Sequence, residues 1–297
     1  MAALLHVYIN HTSTFNFTKF MKILMFFFLI GFISCNNNKN PAWTTNPPGY
    51  NLQEPITIKL PQELDEISGL SYYKKDKSLF AISDEKGVLF KITPYPELLI
   101  KFWKFSKKAD FEDLVLLDST FYILQSDGMI NRVHFLEKDT ISTTEISFPF
   151  KGSMEFETLF YNPVQKTLEL VCKNCENEKK KQLTAYNFDT QKNAFTDSGL
   201  NIDISPMFQN SDKKSYHVKA SAAAVHPLTG EIFVLSSIHK LLIILDKNHS
   251  FKSNYPLNPS LFKQPEGITF ADNGTLIISN EAAETGSANL LLFNYYK

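Results

Sequence analysis

Four glutamates, Glu66, Glu112, Glu157 and Glu266, each stand at the head of a short apolar run. The apolar run that follows each ends in an oxygen-bearing side chain: Asp84, Asp127, Asn174 and Asn280, with Glu85 and Glu281 beside two of them. The glutamates lie 46, 45 and 109 residues apart. Carboxylates at one position of a repeat repel strongly when brought to a common axis, unless they are protonated or neutralised. A hard cation relieves that repulsion, and calcium tolerates roughly six to eight oxygens in loose geometry. The four glutamates with Asp84, Asp127, Asn174 and Asn280 are therefore candidate calcium ligands. The same glutamates have a structural alternative, in which each bonds backbone amides of the next repeat and staples the repeats together.

Other reactive residues are sparse. Cys172 and Cys175 flank two residues, and in an oxidising compartment such a pair is expected to form a disulfide. A redox Cys-x-x-Cys usually opens a helix, whereas this one follows a strand pattern, and no second pair completes a zinc site. His217, His226 and His239 scatter around the fourth repeat: His226-Pro-Leu-Thr-Gly reads as a turn, and His217 is the one placed to face a channel. Gly-x-Ser-x-Gly and glycine-rich phosphate loops are absent from the sequence. The formal net charge of −1 gives no basic surface for a nucleic acid.

The elements that must position these residues are strands. After Glu66 come Ile67–Tyr73, Ser78–Ser83, Val88–Ile92 and Leu98–Phe105, separated by turn-forming Lys74-Lys-Asp, Asp84-Glu-Lys-Gly and Pro94-Tyr-Pro. The unit returns at Glu112, at Glu157, in degenerate form at Lys219-Ala-Ser221, and at Glu266. A period of about 45 residues with four short strands predicts an all-β fold, the β-propeller. One four-stranded sheet has two apolar faces, and radial packing covers both. The fifth unit has only three strands before the chain ends, so Ile56–Leu60 is expected to complete it and close the ring. Five blades over residues 54–297 follow, with six as the alternative if the stretch around 200–218 hides another copy.

The N-terminus predicts an address. Met21-Lys-Ile-Leu-Met-Phe-Phe-Phe-Leu-Ile-Gly-Phe-Ile-Ser-Cys35 has a lysine, an apolar core too short to span a bilayer, and a small residue before a cysteine. Residues 1–34 read as a signal peptide whose true start is Met21, and Cys35 as the lipidated first residue of the mature chain. Residues 35–53, polar and proline-bearing, read as a flexible tether. The stretch resembles the start of Gram-negative lipoproteins, and by that resemblance the lack of an Asp after the cysteine implies the periplasmic side of an outer membrane.

The chain also resembles the SdiA-regulated family of bacterial envelope proteins. The likeness is carried by Glu66-Ile-Ser-Gly-Leu-Ser-Tyr with Ser83-Asp-Glu, and by Phe111-Glu-Asp-Leu and Phe156-Glu-Thr-Leu. Lys219-Ala-Ser-Ala-Ala-Ala-Val-His-Pro-Leu-Thr-Gly and Pro265-Glu-Gly-Ile-Thr-Phe with Ser279-Asn-Glu complete it. The resemblance implies a membrane-anchored propeller linked to calcium, with phytases and lactonases among related propellers, and supplies no catalytic residues. The function expected is a monomeric, lipid-anchored binding propeller taking calcium and a small ligand in its channel. A metal-assisted hydrolase and an envelope protein-interaction scaffold are the alternatives.

Overall fold

Every residue of the strand Ser78–Ser83 is buried, on both faces of its sheet. Leu79 and Ala81 point into one apolar cluster, Phe80 and Ile82 into another. Leu241–Leu245 repeats the pattern, with Leu242 and Ile244 on one side and Leu241, Ile243 and Leu245 on the other. A strand apolar on both faces must sit inside a sheet that is itself sandwiched. That requirement sets the architecture.

The computed structural model describes residues 42–176, 178–209, 216–284 and 286–296. The signal peptide expected over 1–34 and the lipidation expected at Cys35 fall outside the described residues. Blade 1 is β2 (Ile67–Tyr73), β3 (Ser78–Ser83), β4 (Val88–Thr93) and β5 (Leu99–Lys104). Blade 2 is β6 (Phe111–Leu117), β7 (Thr120–Gln125), β8 (Ile130–Phe135) and β9 (Ile141–Ile146). Blade 3 is β10 (Met154–Asn162), β11 (Thr167–Cys175), β12 (Gln182–Asp189) and β13 (Ala194–Asp203). Blade 4 is β14 (Ala222–Val225), β15 (Ile232–Ser236), β16 (Leu241–Leu245) and β17 (Phe251–Pro256). In blade 5, β18 (Pro265–Phe270), β19 (Leu276–Asn280) and β20 (Asn289–Phe293) are joined by β1 (Ile56–Lys59).

Each blade is an antiparallel four-stranded sheet, and the strand order of the fifth is β1-β20-β19-β18. The first strand of the chain thus pairs with the last, Ile56 opposite Leu292 and Lys59 opposite Asn289, and the ring closes with five blades rather than six. The innermost strands β2, β6, β10, β14 and β18 neighbour one another around the axis. Five apolar clusters fill the five clefts between adjacent blades.

Packing begins earlier than the tether expected over 35–53 allows. Tyr50 and Leu52 are buried in the cluster between blades 4 and 5, and the Tyr50 hydroxyl donates to the Gly274 carbonyl at 2.6 Å. Asn46 Oδ1 accepts from Leu52 N at 2.8 Å, and Tyr296 N donates to Gly49 O at 2.9 Å. Asn46, Pro47 and Asn51 shape turns around these two apolar anchors. No helix among the described residues is long and apolar enough to cross a membrane.

Candidate functional site

The inner strands of blades 2, 3 and 5 each carry a bulge, and a glutamate occupies it. Phe111 pairs with Gln125 and Asp113 with Leu124, leaving Glu112 without an opposite residue. Glu157 is left over in the same way between Phe156 and Thr158, and Glu266 between Pro265 and Gly267. A bulged residue breaks the alternation of side chains and is re-aimed relative to its neighbours. The bulge is what releases these three carboxylates from the blade cores.

Blade 1 departs from the register that equal spacing suggests. There Ser68 pairs with Ile82 and Leu70 with Ala81, so the extra residue is Gly69. Counted back from the shared rung at Leu70, Leu114, Leu159 and Ile268, Ser68 holds the glutamate position, and Glu66 matches Asp110, Glu155 and Gln264. The backbone agrees: Asp84 N donates to Glu66 O, Ser126 N to Asp110 O, and Glu281 N to Gln264 O, at 3.1, 3.0 and 2.9 Å. Glu66 is therefore a rim residue, paired with Lys86 at 3.4 Å, and not the first member of the inner ring.

Stapling falls to the neighbours of the glutamates. Ser68 Oγ donates to the Glu112 carbonyl at 2.9 Å, joining blades 1 and 2. The buried Asp113 carboxylate accepts from Leu114 N and, across the next cleft, from Leu159 N, both at 2.8 Å. Ser221, which stands in place of an acid in blade 4, donates to Pro265 O at 2.9 Å. Thr269 Oγ1 accepts from Tyr72 N at 3.1 Å and ties blade 5 to blade 1.

The freed glutamates share one end of the channel with Asp84. Burial, then repulsion from Glu157 and Asp110, pushes the Glu112 carboxyl up to about 9. Burial and Glu157 push Glu266 up to about 8, against a hydrogen bond from the Ser237 side chain. Asp84 is raised to about 6 by burial with Asp110 and Glu66 nearby, and Glu281 to about 7 by burial with Asp84 and Glu66. Asp84 Oδ1 is buried without a hydrogen-bond partner.

One cation already stands in this acidic mouth. Lys173 Nζ is ion-paired with Glu157 and lies 2.9 Å from Glu155 Oε1. Burial works against its charge, but the two glutamates outweigh burial and hold the ammonium above its usual range. For Glu157 burial still dominates, and its carboxyl stays raised despite the pairing. Lys173 sits between Cys172 and Cys175, which are joined by a disulfide with Cα atoms 5.7 Å apart.

Of the other candidate ligands, Asp127 is exposed and caps its own turn by accepting from Met129 N at 3.0 Å. Asn174 donates to Glu155. Asn280 is buried and donates to Leu261 O and Asn289 Oδ1, both at 3.0 Å. Asp127 and Asn280 hold structure, whereas Asn174 orients Glu155 beside Lys173. His226 accepts from Leu228 N and Thr229 N in its turn, and His217 lines a side cavity with Glu176 and Glu178. Lys173, Asp110 and Glu155 went unread in the sequence. Their signal was present: Asp84, Lys173 and Glu281 each fall one residue past the end of equivalent second-strand rungs.

Five radial blades around an axis with a carboxylate-rich mouth define a β-propeller with a built polar site at one end of its channel. Within that class the chain belongs to the SdiA-regulated family, whose model matches residues 48–284. The chain is similar to the PQQ-bound form of aldose sugar dehydrogenase from Streptomyces coelicolor, at 12% identity and a TM-score of 0.52, covering 84% of this chain and 100% of that one. It is similar to glutaminyl cyclase from Myxococcus xanthus, at 10% identity and 0.52, covering 82% and 100%. A calcium-binding protein, regucalcin, from Agrobacterium tumefaciens matches at 10% identity and 0.47, covering 84% and 95%. No curated protein matches the chain. At these identities the likeness is one of fold.

Proposed function

We propose that this protein is a cation-binding propeller held at a membrane surface by a lipid on Cys35, acting as a monomer, with the acidic channel mouth as its site. The observation that carries this reading is the pair of channel glutamates, Glu112 and Glu266, kept protonated near neutral pH by burial and by repulsion from Glu157, which faces both. A cation arriving between them favours the charged form and displaces those protons. Calcium suits the donor chemistry, which is all hard oxygen from separate blades and includes the unpartnered Asp84 Oδ1. Glu112, Glu157, Glu266 and Asp84 would hold it, and the ion would supply the countercharge that these four carboxylates otherwise receive only from Lys173, through Glu157. Among the described residues, no three such groups stand close enough to form a ready-made metal cluster. Binding therefore requires these side chains to close on the ion.

Titrating the purified protein with calcium in weakly buffered solution at pH 7 tests this. The expected result is release of one to two protons per chain together with a higher thermal midpoint than in chelator, since a ligand of the native state stabilises it. Glu112→Gln and Glu266→Gln should each reduce the proton release. Absence of both responses at saturating calcium overturns the reading.

A further inference from the structure

The cleft between blades 1 and 2, at the ends of β2 and β6 far from the acidic mouth, opens into a cavity of 340 Å³. Its floor is aromatic. Trp103 meets Phe135 edge to face at 4.8 Å between centroids, and Phe80 meets Phe121 in the same way at 4.7 Å. Its rim carries both kinds of hydrogen-bonding group: Lys75 and Lys101 as donors, Asp118 and Asp139 as acceptors, all four exposed. Two lysines already lie over one ring, Lys75 Nζ at 5.8 Å and Lys91 Nζ at 5.3 Å from the Tyr73 centroid. Lys91 is in turn neutralised by Asp76. Tyr73 is thus engaged by lysines, and the contacting pair Trp103 and Phe135, both half-buried, is left to serve as a platform.

We infer that this cavity is a binding site for a neutral saccharide of one or two rings. An aromatic face is the negative end of its quadrupole and attracts weakly positive C–H groups. A sugar ring presents such groups on its apolar face while its hydroxyls, each donor and acceptor, spread around the edge. A floor of rings with both donors and acceptors on the rim matches that pattern. Rim charges of both signs favour an uncharged ligand over an anion, which Asp118 and Asp139 would repel. The volume falls in the range of small-ligand pockets.

The chain has two tryptophans, Trp43 and Trp103, so in a Trp43→Phe variant the indole fluorescence reports on this cavity alone. Titration of that variant with cellobiose, lactose and N,N′-diacetylchitobiose should give a saturable change with at least one of them. Asp118→Asn and Lys101→Ala, at exposed positions with little bearing on folding, should each weaken that response roughly fivefold, the loss of a hydrogen bond. The inference is overturned by no saturable change with any of the three sugars. It is also overturned by a response that both rim variants leave unchanged, or by tighter binding of indole-3-acetate than of any sugar.

Discussion

At the scale of single residues, Glu112 is the clearest handle on the channel mouth. Its native carboxyl titrates near 9, against an ordinary value of 4.5 in the unfolded chain. Between those values the native state holds a proton that the unfolded state has released, so the contribution of Glu112 to stability is fully present below pH 4.5 and is lost as pH rises towards 9. Glu112→Gln copies the protonated form. It should leave the unfolding midpoint unchanged at pH 5 and raise stability by about 1–2 kcal/mol at pH 8, after allowance for screening by solvent. Denaturant melts at the two pH values measure this. A stabilisation equal at both would show that Glu112 is not held protonated. The acids of this mouth were largely legible in the sequence because repetition marks them. Lys173 was not, because the cysteines on either side drew the reading to a disulfide, and a lysine where blades 1 and 5 carry Asp84 and Glu281 breaks the acidic pattern that marked the site.

Among the elements, the inner strands decide what reaches the axis, and their bulges do it differently in different blades. Gly69 shows the constraint most sharply. Its φ is +59°, and a Cβ there would lie 2.8 Å from Asp113 Cα, Asp113 Oδ1 and Leu114 N of the next blade. Gly69→Ala therefore combines an unfavourable backbone region with a clash against backbone and against the carboxylate that staples blades 2 and 3. It should cost about 2–4 kcal/mol, read as a lowered midpoint in chemical denaturation. A neutral result would mean that the cleft between blades 1 and 2 can open without loss. Strand limits such as Ile67–Tyr73 and Ser78–Ser83 were readable because turn residues and apolar runs agree there. The offset of Glu66 was not. A bulge adds a residue without altering composition, so equal spacing in sequence concealed a two-residue shift in space.

For the whole molecule, closure of the ring rests on β1 and the packed segment before it. A chain starting at Pro61 lacks the partner of β20 and the two anchors, Tyr50 and Leu52, of the cluster between blades 4 and 5. Compared with a chain starting at Ala42, it should lose its cooperative thermal transition or aggregate through the exposed edge of β20. A synthetic peptide covering residues 42–60, added in trans, should restore the transition. Equal melting of the two chains would show that four complete blades close without help. The closing strand was visible in advance because counting strands left one unpaired at each end of the chain.

That arrangement also sets how the fold meets mechanical force. Tension reaching the described chain at Ala42 meets first the Gln53–Trp43 hydrogen bond, must then break the Tyr50–Gly274 and Gly49–Tyr296 hydrogen bonds, and only then loads the four rungs of β1 on β20. The packed segment is a strain relief. It bears small pulls on the N-terminus before they reach the seam of the ring.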